Sequence, residues 1–166
     1  MTDATPDLAS GLPFDPERDL AFERVVDVPP ALVWRAWTEA EHLTKWFTPA
    51  PWTTPHAELD VRPGGRFHTV MRGPNGEEHA STGCYLVVEP GRRLIWTDAL
   101  GPAYRPNPQP FMTAQLTLTP EGPGGTRYHV IVAHADAEAR AKHEAMGFLE
   151  GWGAALDQLV AMVEGW

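Results

Sequence analysis

The chain has 166 residues, 43% hydrophobic and 21% charged, ordinary proportions for a globular domain long enough to bury a substantial core. Thirteen Lys and Arg against twenty-two Asp and Glu leave a formal charge of −9, which repels phosphate backbones and argues against a nucleic-acid partner. The single Cys84 excludes an intrachain disulfide, and neither an apolar run of about 18 residues nor a secretory h-region is present, so no membrane span and a cytoplasmic location are expected.

Residues 1–18 are acidic and Pro-rich and are expected to form a flexible tail ahead of one domain over residues 19–166. Leu20 to Val28 alternates in part, with Phe22, Val26 and Val28 set against Glu23 and Asp27, which predicts a first strand. Pro29-Pro30 stops it, and Pro30 opens a helix carrying Val33, Trp34 and Trp37. Thr38-Glu39-Ala40-Glu41 fits a capping box, with Thr38 as N-cap of a second short helix bearing Leu43, Trp46 and Phe47. Pro49, Pro51, Thr53-Thr54 and Pro55 end that helix. Six more strands are predicted at about 56–62, 65–73, 77–89, 92–99, 111–119 and 126–134. Turns at Arg62-Pro63-Gly64-Gly65, Gly73-Pro74-Asn75-Gly76 and Glu121–Gly125 join them, and prolines 102, 106, 108 and 110 make residues 101–110 a loop. Asp136 N-caps a long last helix reaching about Glu164, with Met146, Leu149, Gly153, Leu156, Leu159, Val160 and Val163 at steps of three and four. Gly147, Gly151 and Gly153 each cost that helix roughly 1 kcal/mol against Ala, which implies close approach to the sheet, a kink, or space for a ligand. The expected class is α+β: a curved antiparallel sheet of six or seven strands wrapped on a long C-terminal helix, with two short N-terminal helices.

Pairing Gly73 with Glu77 puts Phe67, Thr69, Met71, His79, Ser81 and Tyr85 on one face. Pairing Val88 near Arg93 sets Tyr85 opposite Trp96 and adds Leu94 and Asp98 to that face. Met112, Ala114, Leu116, Val130, Val132 and His134 are the candidates from the last hairpin, and Met146, Leu149 and Trp152 come from the closing helix. The alternatives are a wide aromatic cavity with a few orienting polar groups and a filled core.

The chain resembles the START and birch-pollen-allergen superfamily, often called SRPBCC, and more closely its branch named for the activator of the heat-shock-protein-90 ATPase. The matching pieces are Val33-Trp34-Arg35-Ala36-Trp37-Thr38, Trp46-Phe47-Thr48-Pro49, Leu59-Asp60-Val61-Arg62-Pro63-Gly64-Gly65 and Met71-Arg72-Gly73-Pro74-Asn75-Gly76-Glu77. Arg93-Leu94-Ile95-Trp96-Thr97, Gly124-Gly125-Thr126 and Gly147-Phe148-Leu149-Glu150-Gly151-Trp152, with Leu156 and Leu159, complete the series. The resemblance implies a helix-grip fold. Lone-domain members resemble small-ligand and lipid binders, stress or resistance proteins, and polyketide cyclases.

Seven histidines raise the question of a metal, yet no His-x-x-x-His or Cys-x-x-Cys pair exists; His42, His56 and His143 read as exposed or loop residues, and neither metal nor cofactor is expected. Asp60 is expected to hold the Arg62–Gly65 turn, and Asp98 to face the pocket mouth. Three function classes follow. The leading one is a binder of a hydrophobic or aromatic small molecule, through Phe67, Thr69, Met71, His79, Ser81, Tyr85, Trp96, Met112, His134, Met146, Leu149 and Trp152. The second is a cyclase- or hydrolase-like enzyme using His79, Tyr85, Asp98 or His134 for proton transfer. The third is a chaperone-binding module presenting Trp52, Trp166, Pro106 and Phe111.

Overall fold

The computed structural model describes residues 8–166, and the expected flexibility of residues 1–7 lies outside them. Leu8–Ser10 form a 3-10 turn, and the Leu12 N–H donates to Gln115 Oε1 at 2.9 Å. Strand β1 (Asp19–Val26) follows, then α1 (Pro30–Thr38), which starts on the preset dihedral of Pro30 and buries Val33, Ala36 and Trp37.

The capping box does not form. Helix α2 (Ala40–Leu43) is separated from α1 by Glu39 alone, and Glu39 gives α2 no side-chain cap. Thr38 therefore belongs to the last turn of α1, where its hydroxyl donates to the Trp34 carbonyl four residues back at 2.7 Å. Trp46 and Phe47 lie beyond α2 in a turn, and the Trp46 indole N–H donates to Ala36 O at 2.9 Å.

The sheet contains β2 (Thr53–Leu59), β3 (Arg66–Arg72), β4 (Glu78–Glu89), β5 (Arg93–Thr97), β6 (Thr113–Glu121) and β7 (Gly125–Ala133), in the order β1-β7-β6-β5-β4-β3-β2. Every pairing is antiparallel. Strand β2 starts earlier than expected and takes in Pro55, which an edge strand tolerates, and its register shifts between Thr53 and His56. Gly73 N–H donates to Glu77 O at 2.8 Å, as the turn reading requires. Tyr85 pairs with Trp96 as expected, but Val88 pairs with Leu94 rather than Arg93, because Leu86 is an extra residue in β4. Such a bulge increases local twist and helps the sheet curve. At the β2–β3 turn Gly65 is obligatory, since a Cβ there would sit 1.9 Å from Asp60 O, and Asp60 holds Arg62 by an ion pair at 2.8 Å.

The expected single last helix is two helices, α3 (Ala137–Ala145) and α4 (Phe148–Glu164). Asp136 caps α3 as expected, accepting from Ala139 N at 2.8 Å. Gly147 adopts φ +90°, a left-handed conformation that stops one helix and opens the next. The break resets the phase: Phe148, Ala155, Leu156, Leu159 and Val163 turn inward, while Leu149 is 56% exposed. Gly153 packs against the sheet edge at Arg24 and Phe22, and Arg24 bonds to Asp157 at 2.7 Å. Gln158 ties α4 to the turn after α2: its amide donates to Trp46 O at 3.0 Å and Thr48 O at 2.9 Å, and its carbonyl accepts from Ala50 N at 2.9 Å. In the core the Trp37 indole N–H donates to the Tyr128 hydroxyl at 3.0 Å. No helix among the described residues is long and apolar enough to cross a membrane.

Candidate functional site

The register of β3 on β4 pairs Phe67 with Gly83, Thr69 with Ser81, and Met71 with His79. Residues of equal parity on neighbouring antiparallel strands share a face, so these side chains form one wall. Trp96 from β5 and Tyr128 from β7 extend it. Trp37, the Trp46–Pro49 segment and the start of α4 stand opposite, and the space between is a cavity of about 670 Å³.

Aromatic rings dominate the enclosure. Trp37 is the hub, with ring centroids 4.9 Å from Trp46, 5.0 Å from Trp96, 5.8 Å from Phe47 and 6.5 Å from Trp152. Phe67 lies 5.8 Å from Trp96 and 6.0 Å from Phe47. Such aromatic pairs contribute about 0.5–1.5 kcal/mol each beyond the area they bury, so they hold the wall in place.

Nine expected residues line the space: Phe67, Thr69, Met71, His79, Ser81, Trp96, Met112, Met146 and Trp152. Three do not. Leu149 points away because α4 restarts after Gly147. Tyr85 is fully buried behind Phe67, at 5.1 Å, and its hydroxyl has no hydrogen-bond partner. Burial, then the nearby Asp60 charge, pushes that hydroxyl well above its ordinary titration range. His134 sits one residue back from the wall, behind His143.

His143 is the main residue that the sequence reading misplaced. It is buried, not exposed, and it lines the cavity with Phe111 at 4.7 Å and Phe148 at 5.2 Å. Its Nδ1 lies 2.9 Å from His134 Nε2, and His134 Nδ1 lies 2.9 Å from the Arg18 carbonyl. Burial, then the neighbouring His134, lowers its pKa to about 4. Gly147 separates α3, which carries this ring, from α4. The mouth is built from the Pro-rich loop. Asp98 Oδ1 accepts from the backbone N–H groups of Phe111 at 2.7 Å and Met112 at 3.0 Å. Both amide protons of Asn107 are spent, on Thr82 O at 2.9 Å and Asp98 O at 2.7 Å.

Of the four groups named for proton transfer, His79 and Asp98 reach the cavity, while Tyr85 and His134 do not. Of the residues named for a protein-binding patch, Phe111 is committed to the cavity rim, and Trp166 packs on His42 at 4.5 Å and under Arg35 at 4.9 Å. Among the described residues one trio with metal-ligand geometry occurs, Glu39, Glu41 and His42, on the α1–α2 surface, and Glu39 also pairs with Arg35 at 2.9 Å. Cys84 is buried, and its thiol is raised by that burial.

Residues 27–164 match the family described as Activator of Hsp90 ATPase homolog 1-like protein. Among solved structures, protein NE0264 from Nitrosomonas europaea is 45% identical, with 92% of this chain and 97% of that chain covered and a TM-score of 0.89. Protein Ms6760 from Mycobacterium smegmatis is 28% identical over 97% of this chain and 95% of that one, with a TM-score of 0.74. Protein CV1439 from Chromobacterium violaceum is 27% identical over 88% and 97%, with a TM-score of 0.71. The search of curated proteins gave no match.

Proposed function

The chain belongs to the family of Activator of Hsp90 ATPase homolog 1-like proteins, and on that premise we propose that it binds a hydrophobic or aromatic small molecule between the sheet and α4. The observation that carries this reading is the aromatic-walled cavity of about 670 Å³. Small-molecule sites span about 300–1,000 Å³, are mostly apolar, and carry a few polar groups that fix orientation. Here Thr69, Ser81, His79, His143 and Asp98 are the side chains placed for that last role. Apolar ligand surface buried there would be worth roughly 25 cal/mol per Å² removed from water. The lone buried cysteine fits a reducing, cytoplasmic setting.

The test is a thermal-melt panel of naphthalene-type aromatics, indoles and fatty acids. A ligand at one hundred times its Kd stabilises the fold by about 2.7 kcal/mol, a rise of roughly 5–10 °C for a chain of this size. Gly151→Leu is the matched variant, because Gly151 lines the cavity and a Cβ there meets only Pro49, at 3.9 Å. It is expected to fold and to lose the ligand-induced rise. A flat melt for the unmodified chain across all classes would remove the proposal. If the chain instead captures a chaperone, the protein-partner reading replaces it.

A further inference from the structure

The His134–His143 pair has a hydrogen-bond direction that the surroundings dictate. A backbone carbonyl can only accept, so the contact with Arg18 O requires the proton of His134 on Nδ1. A neutral His134 then offers a lone pair at Nε2, and the 2.9 Å contact requires His143 to donate from Nδ1. A neutral His143 is left with a bare Nε2. That nitrogen makes no hydrogen bond to the described residues and, unlike the Tyr85 hydroxyl, is not sealed inside the protein. It belongs to a ring on the cavity wall. Phe111 joins this ring to a second acceptor, since the Phe111 ring lies 4.7 Å from His143 and its N–H binds the Asp98 carboxylate.

We infer that His143 Nε2 is the anchoring acceptor for a ligand hydroxyl, so that the preferred ligand is an aromatic bearing one hydrogen-bond donor, a phenol or naphthol, and not a carboxylate. This rests on the cavity being a ligand site. The neutral state it requires is the one that burial beside His134 maintains at neutral pH. At His143 Nε2 a ligand carboxylate would set acceptor against acceptor, and the Asp98 carboxylate on the same cavity lining adds like charge. His134 is a positioning residue: it fixes the tautomer of His143 without reaching the cavity.

The experiment compares Kd values for 2-naphthol, 2-methoxynaphthalene and 2-naphthoate by calorimetry at neutral pH. The naphthol is expected to bind about two- to twelve-fold tighter than its methyl ether, the worth of one hydrogen bond, and the naphthoate weakest. In His143→Phe the naphthol advantage is expected to fall below about twofold, with the ether still bound. Equal binding of naphthol and ether by the unmodified chain overturns the inference and leaves the cavity reading standing; binding of neither overturns the inference, and only a flat melt across the whole ligand panel overturns the cavity reading as well. Nitrogen-15 spectra of the unmodified chain keep the test independent of the variant's folding. His143 should show a protonated Nδ1 and a bare Nε2 that shifts on adding 2-naphthol, and a proton on Nε2 in the free protein at neutral pH refutes the inference.

Discussion

Three glycines near the last helix should respond to the same Ala substitution in three different ways. Gly151 lies inside α4, half-buried, and its added Cβ would meet nothing closer than Pro49 Cγ at 3.9 Å. Gly151→Ala should therefore gain the propensity difference, about 0.8–1.0 kcal/mol. Gly153 also lies inside α4, but its Cβ would stand 2.9 Å from Arg24 Nη2 and push the guanidinium away from Asp157 and the Gly153 carbonyl. That pair is solvent-exposed, so its loss costs about 0–1 kcal/mol and offsets the propensity gain. Gly147 has room, with Glu150 Oε2 at 3.7 Å, but its φ of +90° is the obstacle. An L-residue held left-handed there costs roughly 1–2 kcal/mol, partly offset by about 0.4–1 kcal/mol of reduced chain entropy in the unfolded state. The expected order is a Tm rise of about 2–4 °C for Gly151→Ala, little change for Gly153→Ala, and a fall of a few degrees for Gly147→Ala. Calorimetric melts with urea midpoints at constant slope would measure it. If Gly147→Ala stabilised the chain as much as Gly151→Ala, α3 and α4 would be one continuous helix and the inward placement of His143 would fail with it.

Other perturbations probe the core, the staple and the buried histidine. Trp37→Phe and Tyr128→Phe each orphan one buried partner of the 3.0 Å bond and should cost about 1–3 kcal/mol, with the double variant costing less than the sum in urea unfolding. Gln158→Ala removes three hydrogen bonds from the 46–50 segment and should cost about 1–3 kcal/mol, with faster hydrogen exchange at the Ala50 amide; unchanged exchange there would count against the staple. His143 has a pKa of about 4 in the fold, below its ordinary 6.5, so the unfolded chain binds more protons between those values. Its contribution is fully present above pH 6.5 and is lost as the pH falls toward 4, by at most about 3 kcal/mol and less where cavity water screens the ring. The charged or titratable group in direct contact with it is His134; Arg140 and Glu144 pair with each other on the same helix, and Asp98 lies elsewhere on the cavity lining. His143→Phe should flatten the pH 4–6.5 part of the stability profile, and an unchanged slope would locate the titration elsewhere.

The meander was legible because each of its turns carries residues with one dominant conformational use. Pro63-Gly64-Gly65 and Gly73 to Gly76 set the β2–β3 and β3–β4 turns, and alternation then dictates which side chains share a face. That logic placed Phe67, Thr69, Met71, His79 and Ser81 together on the cavity wall. It gave the wrong phase for Leu149, because the apolar series from Met146 to Val163 steps across Gly147 without interruption and a spacing pattern carries no sign of φ. His143 was lost for the same reason: on a continuous helix in that phase it falls on the outer face. Thr38 matched a capping pattern in composition, but a capping box needs a non-helical residue at that position, and Thr38 is still inside α1. Asn107 gave no signal, and Phe111 was read as part of an exposed protein-binding patch rather than as cavity rim, since a loop of four prolines fixes its path by tertiary contacts rather than by local pattern.

Strand β2 ends the sheet on one side and β1 on the other, so the seven strands do not close and two rows of backbone polar groups face outward. Open edges of this kind template unwanted pairing with another chain. Pro55 removes one N–H from the β2 edge, and the register shift beside it bends the strand out of a flat template. At the opposite edge the Arg140 guanidinium occupies the Asp19 carbonyl at 2.9 Å, so α3 covers the start of β1. The helix that delivers His143 to the cavity thus also guards a sheet edge, and a change that loosened α3 would expose the protein to self-association as well as alter its interior.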